Sequence, residues 1–321
     1  MFLFDKMSKV AGWTKNEWVI VTNSSAEKKM KVLVTGASGL LGRQIMTTLR
    51  AEDVPCLGLC YSRTSESLTS LDLTDLAATR EFIMAQSPSH VIHAAAQRFP
   101  DKVQANPEAA VKLNVESSRN IAVACRDIGA RMIYISTDYV FDGNHPPYFP
   151  DNKTNPLNMY GETKLAGEEA VLAVDEKFLV LRIPVLYGGV TRLEESAVSV
   201  LLEVIRNKEV PAKISSYEVR CPSHTGDIAN ILLDLIRLSP SPPGRVFHWC
   251  GREKFSKWEM CRLISQELGG LDISHLQEVK GAGGTPRPRD VELDRSNLEL
   301  LGISHHTDFR CGIREELNRF V

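Results

Sequence analysis

Tyr160 and Lys164 stand four residues apart, and Thr137 precedes them. On a helix this spacing puts the phenol and the ammonium on one face, about one turn apart. A free tyrosine titrates at about 10, so proton transfer at neutral pH calls for a cation beside it, a role open to Lys164. Thr137 closes the stretch Arg131-Met132-Ile133-Tyr134-Ile135-Ser136-Thr137, which reads as a strand with an apolar centre. Its hydroxyl can hold a carbonyl oxygen at the C-terminal strand end, where ligands bind in parallel sheets. Thr137, Tyr160 and Lys164 thus have the makings of carbonyl reduction. A YxxxK pair alone recurs by chance on exposed helices, and its weight here comes from a second motif upstream.

That motif is Gly36, Gly39 and Gly42, at intervals of three after the apolar run Val32-Leu33-Val34 and before a helical pattern that starts at Arg43. Glycine takes backbone angles closed to other residues and lets a pyrophosphate approach the amides of a helix N-terminus, whose dipole favours anions. The spacing is GxxGxxG, distinct from the GxGxxG of ordinary dehydrogenases. Residues 54–61 read as the second strand, ending in Tyr61-Ser62-Arg63. At that place an acidic residue would bind the ribose 2′-hydroxyl of NAD; here Arg63 offers a partner to a 2′-phosphate, so the expected cofactor is NADP(H). Asp72 and Leu73, after a short strand over 67–72, are placed at the adenine. The strand 90–96 ends in small residues that let a ribose lie against the backbone, and Arg98 beyond them contacts phosphate or caps a loop. His93 reads as a core histidine.

Strands alternating with predicted helices over 76–87, 107–129 and 157–174 predict an α/β fold with a doubly wound parallel sheet. From residue 189 the rhythm loosens into a smaller lobe on the substrate side. Expected helices cover 194–208, 224–238 and 257–268, the last with Trp258, Met260 and Leu263 inward. Residues 215–222 are expected extended, 239–244 a stiff turn, and 246–249 a late strand. The predicted organisation is an N-terminal arm (1–29) and a dinucleotide-binding domain (30–188, completed by 222–251). Residues 189–221 and 252–321 form the second lobe. Val19-Ile20-Val21 in the arm, near Trp13 and Trp18, can form a small strand. Residues 281–288, rich in glycine and proline, read as a mobile loop at the pocket mouth. Arg220, Arg287 and Arg289 are candidates to read a diphosphate.

The chain has 321 residues, 24% charged and 43% hydrophobic, with a formal net charge of -2. This is an ordinary globular mix without the basic footprint of a nucleic-acid binder or a membrane-surface protein. Seven cysteines, at 56, 60, 125, 221, 250, 261 and 311, form no CxxC pair and no His/Cys cluster. They read as reduced thiols in the cytoplasm and give no metal site. No stretch approaches a membrane span.

Residues 135–143 (Ile-Ser-Thr-Asp-Tyr-Val-Phe-Asp-Gly) and 156–168 (Pro-Leu-Asn-Met-Tyr-Gly-Glu-Thr-Lys-Leu-Ala-Gly-Glu) resemble the extended short-chain dehydrogenase/reductases of the dTDP-4-dehydrorhamnose reductase type. The resemblance runs from Lys31 to the C-terminus. Within that group, residues 181–188, 193–200, 247–251 and 287–294 are most similar to the family of regulatory β subunits of methionine adenosyltransferase 2. The sugar reductases usually carry Arg-Thr-Ser-Trp where this chain has Arg182-Ile183-Pro184-Val185, and a serine where Val291 stands. Aliphatic groups at substrate-facing positions would weaken discrimination for a sugar. The resemblance implies a cofactor-binding regulatory subunit that joins a catalytic adenosyltransferase and modulates its affinity for methionine; reductase turnover is the alternative. It also implies cofactor contacts at Ser38, Gly39, Leu40, Leu41, Tyr61, Ser62, Arg63, Asp72, Leu73, Ala94, Arg98, Tyr160 and Leu186. If the chain reduces a carbonyl, Lys164 also binds the nicotinamide ribose.

Overall fold

Val32, Leu33 and Val34 have no exposed surface, as an unbroken apolar run must be when a parallel sheet is covered on both faces. The structure is a computed structural model and describes residues 19–20, 30–239, 242, 244–281 and 283–321. In chain order β1 (Val32–Thr35), α1 (Leu40–Ala51), β2 (Cys56–Cys60), β3 (Thr69–Ser70) and α2 (Leu76–Gln86) form the first half. β4 (His90–His93), α3 (Ser117–Ile128), β5 (Arg131–Thr137), α4 (Met159–Leu172), β6 (Leu179–Ile183), α5 (Thr225–Arg237) and β7 (Val246–His248) follow. The seven strands lie in the order β7-β6-β5-β4-β1-β2-β3, and every pairing is parallel. The chain winds outward from β1 in one direction and from β4 in the other. A crevice therefore opens at the carboxyl ends of β1 and β4, where neither crossover helix closes it.

Each face of the sheet has its own core. Ile45, Met46 and Leu49 of α1 and Ile228, Leu232 and Leu235 of α5 cover one face. Ile83 of α2, Ile121 and Cys125 of α3 and Val171 of α4 cover the other. A third cluster belongs to the C-terminal lobe, around α6 (Lys257–Glu267) and α7 (Phe309–Leu317), where Met260, Leu263, Phe309 and Ile313 pack on Leu201 and Leu202. Trp258 is half-buried against it. Among the described residues no helix is long and apolar enough to cross a membrane, and no group of His, Cys, Asp and Glu could hold a metal.

Several elements depart from expectation for local reasons. The helix expected over 107–129 is three pieces: Pro107–Val111, a π-helical turn Lys112–Glu116, and α3. The hydroxyl of Ser118 donates to the Asn114 carbonyl at 2.8 Å, and Ser117 bonds back to Leu113. Such back-bonding competes with the regular ladder and accompanies a bulge. The helix expected over 194–208 is a 3-10 turn, Leu193–Glu195, and a helix, Val200–Arg206. Ser196 breaks it: its hydroxyl donates to the Leu186 carbonyl at 2.6 Å and holds the backbone extended there. Residues 215–222 supply only the strand Val219–Arg220 after a strand at Ala212–Ser215. Val19–Ile20 pair antiparallel with Leu238–Ser239. The remaining expectations for the 1–29 arm, and residues 240, 241 and 243 of the turn, lie outside the described residues.

Candidate functional site

The glycine turn is a cradle that side chains would fill. Gly36 sits at φ +68, and a Cβ there would lie 2.8 Å from the Ala95 nitrogen. At Gly42 a Cβ would lie 2.1 Å from the Gly36 carbonyl oxygen, so α1 and the turn touch backbone to backbone. Gly39 is the N-cap of α1 and supplies no side-chain cap. A Cβ there would meet only the Gly36 oxygen, so the face toward the crevice is open. Leu40 and Leu41 are buried and Ser38 is half-buried beside the cap. An uncapped helix N-terminus with free N–H groups, its positive dipole end and an open approach fits a dinucleotide pyrophosphate.

The other residues expected at the dinucleotide stand in varied surroundings. Tyr61, Ser62 and Arg63 are exposed just past β2, with Tyr61 69% exposed, free to lie against a base. Ala94 follows β4, half-buried. Asp72 turns its carboxylate into a local turn, accepting from the Thr74 amide at 2.9 Å and hydroxyl at 2.7 Å, while Leu73 is buried in the second core. Leu186 stands in a two-residue strand paired with Ser223–His224. Arg98 donates to the Glu195 carbonyl at 2.7 Å and lies 4.3 Å over the Phe99 ring. Glu195, which sequence reasoning passed over, also accepts from Arg43 at 2.7 Å and Arg63 at 3.3 Å.

Thr137 and Tyr160 come together on the far side of the crevice. The Asn158 side chain caps α4 by accepting from Gly161 N–H at 3.0 Å, which sets the start of the helix one residue before Tyr160. The Thr137 hydroxyl donates to the Asp138 carboxylate at 3.0 Å and lies beside the Tyr160 phenol. Tyr139 packs edge-on to the Tyr160 ring, centroids 5.5 Å apart. Lys164 is turned elsewhere. Its Nζ donates to the Ile135 carbonyl at 2.7 Å and lies 3.9 Å over the Tyr134 ring. Burial brings this ammonium down to about 7, against the attraction of Glu168. Burial also raises the Tyr160 phenol above its ordinary range, against the hydrogen bond with Thr137. The expected downshift of the tyrosine by Lys164 is therefore not met: the phenol keeps its proton at neutral pH.

Two polar groups that the sequence did not advertise hold these residues in place. The Asn114 side chain, projected by the π turn, donates to the Gln97 carbonyl at 3.2 Å and to Thr163 at 3.1 Å, tying the loop after β4 to α4. Below it, Arg182 of β6 donates to both carboxylate oxygens of Glu168, at 2.9 and 2.7 Å, and Ser136 bonds the same carboxylate. Arg182 also reaches the His248 Nε2 at 3.2 Å, and the His248 Nδ1 faces the Tyr148 carbonyl at 3.1 Å. That arrangement needs a neutral ring with its proton on Nδ1; burial, with the Arg182 charge, pulls the imidazole down to about 3. His93, also buried, bonds Thr35 at 2.6 Å and Ser118 at 2.9 Å, a structural role.

One expectation is corrected, and two more meet local contacts. Ile183 and Val291 do not face a pocket: Ile183 is packed with Ile135 and Leu181, and Val291 with Val140, Phe141, Cys221 and Cys250. Only Val185 is half-buried, against the lobe core. In the glycine- and proline-rich loop, Thr285 donates to Asp101 at 2.7 Å and the Pro286 carbonyl accepts from Asn158 at 2.8 Å. Arg220 and Arg289 are neighbours, Arg220 donating to the Arg289 carbonyl at 3.2 Å, and each of the three arginines is engaged within the protein. Arg220 donates to the Val219 carbonyl and lies over Tyr139, Arg287 pairs with Asp101, and Arg289 lies over Tyr217.

Asp138, beside Thr137, is buried with one carboxylate oxygen unpartnered. Burial raises its carboxyl to about 6, against Arg220 and the Thr137 hydrogen bond. A folded-state pKa above the unfolded value favours folding below about 4 and loses that contribution as pH rises through 6. Asp138→Asn is therefore expected to stabilise the protein at pH 7–8 by up to about 3 kcal/mol, a gain of roughly two pKa units. Urea melts of both proteins should converge as the pH falls toward 4.

A doubly wound sheet, a glycine cradle at its switch point and a Thr/Tyr/Lys set on β5 and α4 define a short-chain dehydrogenase/reductase of the extended type. Residues 30–321 match the model of the RmlD substrate binding domain. The chain is 40% identical to methionine adenosyltransferase 2 subunit beta of Xenopus tropicalis over 97% of its own length and 92% of the relative's. It is 42% identical to the same subunit of Bos taurus, over 91% and 88%. A dTDP-4-keto-6-deoxy-D-glucose reductase of Streptomyces niveus is 30% identical over 85% and 91%. Among solved structures, a dTDP-4-dehydrorhamnose reductase from Bacillus anthracis in complex with NADP superposes with a TM-score of 0.78 at 25% identity, covering 92% of this chain and all of that one. The chain belongs to the family of methionine adenosyltransferase 2 β subunits, within the RmlD-like reductases.

Proposed function

We propose that this chain is the regulatory, non-catalytic subunit of an S-adenosylmethionine synthetase, that it binds NADP(H), and that it modulates the methionine affinity of its catalytic partner in a hetero-oligomer. The carrying observation is similarity to named β subunits along almost the whole chain. Cofactor binding is supported by the open Gly39 face, the uncapped α1 and Arg63 at the end of β2. The residues that would hold the dinucleotide are the glycine turn with Ser38, Leu40 and Leu41 at the pyrophosphate, Tyr61 to Arg63 at the adenosine, and Tyr160 with Lys164 at the nicotinamide ribose.

The assembled Thr137 and Tyr160 hydroxyls keep a second reading in play, reduction of a nucleotide-linked 4-keto-6-deoxy sugar. A bound NADPH would supply the hydride; Thr137 would orient the carbonyl, and Tyr160 would donate the proton to its oxygen. The phenol's raised pKa and the Lys164 contact with Ile135 make it a weak acid in this arrangement. Mixing the purified chain with the adenosyltransferase catalytic subunit should give one complex on size exclusion. A chain that stays separate, and oxidises NADPH with a dTDP-4-keto-6-deoxy sugar, would establish the reductase instead.

A further inference from the structure

Glu195 is the buried acid at which Arg43, Arg63 and Arg98 meet. Its carboxylate is only 7% exposed, yet it faces two guanidiniums: Arg43, at 2.7 and 3.2 Å, and Arg63 at 3.3 Å. The Thr191 amide donates to the same carboxylate at 2.8 Å, and Arg98 donates to the Glu195 backbone carbonyl at 2.7 Å. Arg43 also reaches the carbonyls of Ser38 and Gly189, at 3.0 and 3.1 Å, which lays residues 189–195 across the mouth of the glycine cradle. The binding is unequal. Arg43 makes four contacts and is 28% exposed, whereas Arg63, 52% exposed, is joined to the group by one contact at the edge.

We infer that Glu195 is an internal counter-anion of the dinucleotide site, a specificity-determining residue that competes with the cofactor phosphates for Arg63 and lowers the site's affinity for NADP(H). The inference rests on the dinucleotide reading above. An incoming 2′-phosphate takes Arg63 from a carboxylate that Arg43 and Thr191 still hold nearby, so the two anions repel across a short distance. Three arginines against one carboxylate leave the site with two net positive charges; neutralising Glu195 leaves three.

The sign separates this role from a structural one, because damage to the loop weakens binding and loss of a competing anion tightens it. In calorimetric titrations Glu195→Gln, which keeps an oxygen for Arg43, is expected to bind NADPH about fivefold more tightly than the wild type, the size of a strong exposed ion pair. Binding of NADH should change about half as much or less, and the NADPH affinity should fall more steeply with salt. Placing Arg63→Ala in both backgrounds should erase the NADPH-specific part of the gain. If the glutamine variant does not fold, Glu195→Asp carries the test: its shorter arm cannot span Arg43 and Arg63, and it should tighten NADPH binding in the same direction. Wild-type binding with unchanged or weaker binding by the variants overturns the role of Glu195 alone. Failure of the wild type and variants alike to bind NADPH overturns the dinucleotide reading with it.

Discussion

Replacing Arg182 with methionine is expected to destabilise the protein by about 3–5 kcal/mol, because it leaves a buried carboxylate without its cation. Glu168 is 2% exposed and Arg182 5%, so neither can turn to water. After the substitution the carboxylate keeps the Ser136 hydroxyl as a donor, and the His248 Nε2 loses its donor. The pair joins α4, one turn past Lys164, to β6, so its loss should also loosen the helix that presents Tyr160. Urea denaturation of Arg182→Met, Glu168→Gln and the double variant gives the coupling directly. The double variant should recover a large part of the single-variant loss, since removing both charges leaves neither one unpaired. Equal stability of Arg182→Met and wild type would show that the pair contributes nothing net.

Gly42→Ala is expected to lower NADPH affinity by at least about tenfold, or about 1.4 kcal/mol, and to cost about 1–3 kcal/mol of stability through overpacking. The obstruction is backbone, with the Gly36 oxygen at 2.1 Å and the Ala37 Cα at 2.7 Å from the added Cβ. Backbone at such a distance cannot rotate aside as a side chain would. The first turn of α1 must therefore move off the glycine loop, carrying its free N–H groups away from the pyrophosphate position. Gly281→Ala serves as the control, since a Cβ there meets nothing within 4 Å. Isothermal titration with NADPH, alongside thermal melts, separates the two effects. Full affinity in Gly42→Ala would remove the cradle from the account of binding.

What could be read in the chain was what local spacing encodes. The glycine turn, the tyrosine–lysine pair and the strand–helix rhythm each occupy a few consecutive residues, and their periods follow from backbone geometry. Glu195 is different. Its meeting with Arg43 spans 152 positions, and nothing in Leu-Glu-Glu-Ser distinguishes the buried acid from the exposed one beside it. The Glu168–Arg182 pair was hidden for a related reason, since a charged residue in a helix reads as solvent-facing until a neighbouring strand supplies its partner. Asn114 needed a π turn to aim it, and the serines behind that turn read as ordinary helix residues. Val291 shows the reverse error: likeness to a substrate-facing serine suggested a pocket wall, while its packing against Phe141 and Cys250 makes it core. The opposing demands on Lys164 were also invisible. Only the fold shows that the Lys164 ammonium donates to the carbonyl of Ile135 and lies over the ring of Tyr134.

The most direct test is the methionine KM of the adenosyltransferase catalytic subunit, measured with and without stoichiometric amounts of this chain. The account predicts that the chain changes that KM, and that Tyr160→Phe, which removes the one proton donor a reductase would need, changes it to the same extent. An unchanged KM in the presence of the folded, NADPH-binding chain would contradict the regulatory assignment.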